Sequence, residues 1–210
     1  MRFAHVLLLR LCLGASCAFA AAPPAPAAPP LLDVLRERNA DVAELAGAFT
    51  QRKHLKALPV PLVSSGEFTY HASEGLRWHT LEPLDNLVTI SEAGIYLSDE
   101  RLVTDDAKGQ AGQVVARLFM AMFSGNIAVL NEYFTIDEQG DAEAWTLQLT
   151  PINPTLAEVI AGVELAGGEH TESVTISEAS GDTTELTLQL NHAEVNGHPE
   201  APQPKAPHAE

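Results

Sequence analysis

Gly66 to Pro83 reads G-E-F-T-Y-H-A-S-E-G-L-R-W-H-T-L-E-P, and Phe49-Thr50-Gln51 stands shortly before it. Phe68 and Tyr70 are spaced two apart, as are Leu76 and Trp78. Successive strand side chains point to opposite faces, so each pair lies on one face of a strand. Ala72 to Gly75 supplies the turn between them. The stretch predicts two antiparallel strands that carry large aromatic and aliphatic residues on a shared apolar face.

Outward from this hairpin the same period recurs. Trp145, Leu147 and Leu149 alternate with Thr146, Gln148 and Thr150, and Leu186, Leu188 and Leu190 alternate with Glu185, Thr187 and Gln189. Such strands are half-buried and antiparallel, with one wet face. Weaker copies are Val88 with Ile90, Ile95 with Leu97, Phe134 with Ile136, and Val174 with Ile176. Turn residues separate them at Glu92 to Gly94, Glu138 to Asp141, Gly167-Gly168 and Ser180-Gly181-Asp182. Leu45 to Arg52 is ambiguous: its alanines favour helix, while Leu45, Gly47, Phe49 and Gln51 alternate as a strand would.

Two helices are expected. Leu31 to Ala43 is amphipathic, with Leu31, Leu32, Leu35 and Val42 on one face. A second, from about Gln110 to Phe123, is apolar almost all round, with Gly109 and Gly112 near its start and Gly125 after it. It holds Met120 and Met122, both methionines left once Met1 is removed, and methionine is a flexible filler suited to variable apolar partners. Spacing alone also fits a buried core helix.

About ten strands sharing one apolar face make a sheet large enough to curl toward a barrel. Two helices shield only part of so wide a face. Either the sheet closes on itself, or an apolar cavity remains for a ligand.

The ends of the chain are of other kinds. Residues 1–20 combine Arg2, an apolar run from Val6 to Leu13 and Ala18-Phe19-Ala20, as in a secretory signal peptide cut after Ala20. Cys12 and Cys17 both fall within it, so the mature domain would rely on packing rather than disulfides. Gly14 occupies the position where a lipidation motif places a large aliphatic residue before its cysteine, which argues against an acylated Cys17. Residues 21–30 form a proline-alanine tether, residues 31–195 one domain, and residues 196–210, with four prolines, an expected disordered tail. The formal charge is −16, and losing Arg2 and Arg10 with the leader lowers it by two, to −18. An acidic field of this size repels phosphate backbones and anionic headgroups, so nucleic acid is not an expected partner.

Catalytic patterns are missing from the sequence: no Gly-x-Ser-x-Gly elbow, mature cysteine nucleophile, phosphate loop or His-Glu-x-x-His helix. No enzyme is expected, and no cofactor. His71 and His79 lie on adjacent predicted strands but lack a clear third ligand, so no metal site is expected. His192, His198 and His208 run toward the tail. Asp105-Asp106 and Asp137-Glu138 lack calcium-loop spacing and read as solvated turns.

With its leader, N-terminal helix, Phe49-Thr50-Gln51, Gly66-x-Phe68-x-Tyr70 and Leu76-Arg77-Trp78 leading to Glu82-Pro83, the chain resembles the periplasmic outer-membrane lipoprotein carrier (LolA-like) family, as a divergent member, over about Leu31 to Asn191. The resemblance implies an α+β fold: a large curved antiparallel sheet forming an unclosed β-barrel, with an N-terminal helix and a central helix over its concave face. It also implies that Leu45 to Leu55 is the first strand, and that Arg77 faces outward while Trp78 lies on the cavity wall. On this reading the lipid-binding cavity is lined by Phe49, Phe68, Tyr70, Leu76, Trp78, Val88, Ile90, Leu118, Phe119, Met122, Trp145, Leu147, Leu149, Leu186 and Leu188. The implied role is a monomeric periplasmic shuttle that takes an acylated lipoprotein or related lipid, polyene pigments included, from an inner-membrane exporter to an outer-membrane acceptor. A lipoprotein-sensing or scaffolding module that binds a protein partner is the alternative. One departure stands out: Ala72 takes the place where the best-known carriers have an arginine that bonds to the lid helices.

Overall fold

Strand pairing on both flanks settles the ambiguous Leu45 to Arg52 stretch, because its backbone groups bond to neighbouring strands along its length and leave no use for a helical ladder. The computed structural model describes residues 29–91, 94–98, 100–101, 107–195 and 198–199. The expected leader and nearly all of the tether lie outside the described residues, as do Asp105-Asp106, part of the Glu92 to Gly94 turn and most of the expected tail.

Helix α1 (Leu31–Asn39) leads into β1 (Val42–His54), β2 (Leu62–His71), β3 (Gly75–Glu82), β4 (Asn86–Ser91), β5 (Gly94–Leu97) and β6 (Glu100–Arg101). Helix α2 (Ala107–Ser124) and a 3-10 helix (Ile127–Glu132) follow. The remainder is β7 (Phe134–Gly140), β8 (Trp145–Pro151), a short α3 (Pro154–Ala157), β9 (Ile160–Gly167), β10 (Thr171–Glu178), β11 (Thr183–Val195) and β12 (His198–Pro199). All strands join one antiparallel sheet in the order β6-β5-β4-β3-β2-β1-β11-β10-β9-β8-β7, with β12 beside β11. β6 and β7 end this order without pairing with each other, so the sheet does not close into a barrel. The fold is α+β.

Several expected boundaries move. The first helix ends at Asn39 rather than Ala43, and Val42 instead begins β1 opposite Val195. Sheet pairing overrides the helical spacing there. Helix α2 starts at Ala107, so Gly109 and Gly112 lie inside it. β7 runs through Gly140, and the expected Glu138 to Asp141 turn shifts to residues 141–144, where the Asp141 carboxylate accepts from the Glu143 and Ala144 N–H groups. His192 belongs to β11, and His198–Pro199 pair with Val195 and Glu194 inside the expected tail.

Two covering pieces were not expected. The 3-10 helix buries Ile127 and Leu130, and α3 buries Leu156 after Asn153 caps its first turn. Each is too short for a periodic signal. Together with α1 and α2 they cover more of the concave face than two helices would. One hydrophobic cluster runs through all of them and the inner faces of β1, β2, β3, β8, β9, β10 and β11.

Candidate functional site

Gly47 sits between the inward-facing Leu45 and Phe49 on β1, directly opposite Phe68 on β2. With no side chain there, the Phe68 ring lies across the strand; a Cβ would stand 2.8 Å from its Cζ and 2.3 Å from the Gln189 carbonyl. The next positions build an aromatic stack. Phe49 and Trp78 are 3.9 Å apart between centroids at an interplanar angle of 24°, and Phe68 lies 6.0 Å from Trp78 on its register partner. Each such pair contributes about 0.5–1.5 kcal/mol beyond burial of its area.

Helix α2 completes the stack from above. Phe119 meets Trp78 edge-on at 5.3 Å, and Phe123 packs 5.1 Å from Phe68 and 5.7 Å from Tyr70. Burial pushes the Tyr70 phenol above its ordinary pKa. Arg77, one residue from Trp78, is exposed, in keeping with its outward position.

This packing fills much of the apolar face on which a cavity was expected. Phe49, Phe68, Tyr70, Leu76, Leu118, Met122, Leu147, Leu149, Leu186 and Leu188 are buried, and they belong to one packed core with α2. Trp145 is also buried, but at the α1 end, where its indole N–H donates to the Gly168 carbonyl at 2.7 Å. Trp78, Ile90 and Phe119 are half-buried against the core, and Val88 is half-buried on β4. The two methionines separate: Met122 enters the core, while Met120 lines a shallow hollow of about 170 Å³ with Arg117, Val129 and Tyr133. The Arg117 guanidinium donates to the Tyr133 hydroxyl there.

What remains open is a recess of about 270 Å³ between α2 and the strands β1, β10 and β11. Val115, Phe119, Val174, Ile176 and Leu186 form its apolar lining, and Gln51, Lys53 and Thr184 add polar groups. Of the expected wall residues, the structure brings Phe119 and Leu186 to it. Val174 and Ile176 had shown their alternation without being placed at the site. Gln51 and Lys53 continue the inward parity of Leu45, Gly47 and Phe49 along β1, a signal that polar chemistry conceals.

The recess and the α1 end occupy opposite ends of the sheet. Lys53, Ile176 and Thr184 stand near the β1–β2 and β10–β11 connections. At that end Leu58, Val60, Leu62 and Val63 are exposed on the β1–β2 connection and the start of β2, and Leu81 and Leu84 are exposed around the β3–β4 turn. At the other end Arg38 fastens α1, donating to the carbonyls of Ala142, Gly168 and Glu169 at 2.8, 2.9 and 3.3 Å. Ala72 is exposed beside β1, its N–H bonded to the Ala43 carbonyl. The contact that ties α1 to the sheet connections comes from the helix.

His71 and His79 do not meet. His71 Nδ1 lies 3.5 Å from Glu44, and His79 Nε2 lies 3.2 Å from Asp85 at the opposite end of the hairpin. Among the described residues, no three His, Cys, Asp or Glu side chains gather to hold a metal.

The family described as outer membrane lipoprotein carrier protein LolA matches residues 40–201. Among solved structures the chain is similar to MucB, at 15% identity and a TM-score of 0.42, over 77% of this chain and 57% of that one. It is similar to the Pseudomonas aeruginosa MucA/MucB complex at 15% identity and TM-score 0.41, over 77% and 55% of the two chains. It is also similar to a LolA superfamily protein from Nitrosomonas europaea at 11% identity and TM-score 0.38, over 77% and 92%. The chain spans just over half the length of the chains it matches in these first two structures. Among curated proteins, none matches it significantly by sequence.

Proposed function

The chain belongs to the LolA family of outer membrane lipoprotein carrier proteins, and from that premise we propose that it is a periplasmic carrier for the acyl chains of a lipoprotein or related lipid. The observation that carries this reading is the apolar recess between α2 and β1, β10 and β11, with Phe119 and Leu186 in its lining.

Exposing an acyl chain costs about 0.8 kcal/mol per methylene, or roughly 12 kcal/mol for a chain of about 15 carbons. A shuttle therefore needs a continuous greasy surface. At about 270 Å³ the recess falls just below the ~300–1,000 Å³ of ordinary ligand pockets. Loading then requires α2 to draw back from the aromatic stack, so that Phe49, Phe68, Trp78 and Phe119 exchange contacts with one another for contacts with the chain. The α2–stack contacts are apolar and non-directional, which suits such an exchange. The carrier would perform no covalent chemistry. It would reach the periplasm by cleavage of residues 1–20, and N-terminal sequencing of the mature chain from a periplasmic extract should then begin at Ala21.

Native mass spectrometry of the purified protein, with fluorescent fatty-acid titration, tests the carrier reading. Retained lipid or saturable probe binding is expected; protein that is empty and binds no probe would refute it. The second reading, a partner-binding module without lipid transfer, draws on the exposed Leu58, Val60, Leu62 and Val63, since clustered exposed aliphatics mark interaction surfaces. A stable complex with a membrane-anchored protein, together with no transfer of lipid between vesicles, would favour it.

A further inference from the structure

The recess has one charged residue in its lining, Lys53, and two further polar groups, Gln51 and Thr184, beside five apolar side chains. In the register Lys53, Thr184 and Ile176 form the outer row of the recess and Gln51, Leu186 and Val174 the row behind it, so Gln51 and Lys53 lie on its β1 flank with Thr184 beside Lys53 on β11. Lys53 and Thr184 are register partners. Apolar residues of α2 and β10 therefore line one side of the hollow, and hydrogen-bond donors stand along its β1 flank.

Lys53 Nζ donates to Glu178 Oε1 at 2.9 Å, with both side chains partly buried at 36% and 27% exposure. An ammonium has three N–H donors. Glu178 occupies one and does not itself line the recess, whereas Lys53 does, so the ammonium keeps donor capacity for a ligand there. The Gln51 amide and the Thr184 hydroxyl can add neutral donors. His54 and Glu185 are paired with each other, and the Asp182 carboxylate accepts from the Lys56 N–H; none of these four lines the recess.

Resting on the carrier reading, we propose that this recess selects a single-chain amphiphile with an anionic head, its tail along Val115, Phe119, Val174, Ile176 and Leu186 and its carboxylate or phosphate on Lys53. Glu178 then has a definite role. It balances Lys53 while the recess is empty and competes with the ligand's head once it is filled. The acidic field of the rest of the chain opposes an anionic head, so the short-range attraction of Lys53 is what must offset it.

The test exploits that opposition. Dodecanoate, dodecyl phosphate and dodecanol are titrated near neutral pH, below micelle-forming concentrations, into the wild-type protein and the variants Lys53→Met and Glu178→Gln. Either anion should bind more tightly than dodecanol. Lys53→Met should weaken the anions about tenfold, the loss of one charge-assisted hydrogen bond, and leave dodecanol almost unchanged. Glu178→Gln should tighten the anions. Both variants break the same ion pair, so a purely structural role would move binding in one direction for both. Shifts in the same direction, or equal binding of anions and dodecanol, overturn the headgroup assignment while the carrier reading stands. Binding of none of the three probes overturns both.

Discussion

Gly47 is the residue on which the aromatic stack depends most directly, because the Phe68 ring occupies the space its side chain would fill. Gly47→Ala should cost about 1–3 kcal/mol, the range for overpacking a close-packed site, read as a lowered midpoint in chemical denaturation. Adding Phe68→Leu should recover only part of the loss, since the Gln189 carbonyl at 2.3 Å from the new Cβ remains. Tyr70 offers a pH test at the same scale. Its folded-state pKa is raised by burial, so its contribution is complete below the ordinary tyrosine range and is lost as the pH rises through the raised folded value. Stability of the wild type should thus fall in alkali, and Tyr70→Phe should flatten that fall, measured as denaturation midpoints against pH.

At the scale of elements, the two principal helices are held by different means. Helix α1 begins after Pro30 without a side-chain cap and depends on Leu35 in the core and on the three carbonyls bound by Arg38. Arg38→Met keeps the aliphatic stem and removes the donors. It should cost about 1–3 kcal/mol and raise amide hydrogen exchange across Leu31 to Asn39 more than across β1. Helix α2 stops at Ser124 because Gly125 turns with φ +70, and the turn brings the chain against α1. A Cβ at Gly125 would lie 2.3 Å from Asn39 Cβ and 2.9 Å from the Leu35 carbonyl. Gly125→Ala combines this crowding with an unfavourable backbone conformation, and should destabilise the protein by more than about 1 kcal/mol. Its signature would be loosening of both helices together, seen as exchange rising in α1 and in the C-terminal half of α2.

Among the described residues the molecule is a sheet whose order ends at β6 and β7, fastened at one end by Arg38 and α1 and holding its recess at the other. Phe119 joins the aromatic stack to the recess, since it meets Trp78 edge-on and lines the recess. Phe119→Glu should abolish fatty-acid probe binding while circular dichroism retains the β-sheet signal; unchanged probe affinity would remove α2 from the binding surface. Much of this architecture was legible in the residues. The period of two in β8 and β11, the Gly66 to Pro83 hairpin and the apolar run of α2 identified the elements, because strand and helix periods are local properties of the chain. The hairpin motif and its neighbours also identified the family. Boundaries at Ala43 and Gln110 moved, because cross-strand pairing and packing decide where a helix stops, and the residues involved are distant in sequence. The cavity was the larger revision. Apolar parity assigns Phe49, Phe68, Tyr70 and Trp78 to one face, but whether that face is empty depends on Phe119 and Phe123 of α2 and on Ile127 and Leu130 of a helix too short to announce itself. Lys53 was hidden for a related reason: its charge reads as surface although its parity along β1 matches that of Phe49, and only the packing of α2 over β1, β10 and β11 makes a recess there. Sequence by itself determined the two principal helices, most of the longer strands, the family and the apolar face, since these follow from short-range pattern. Tertiary structure decided how much of that face stays unfilled and which polar group borders it, since both depend on packing between residues far apart along the chain.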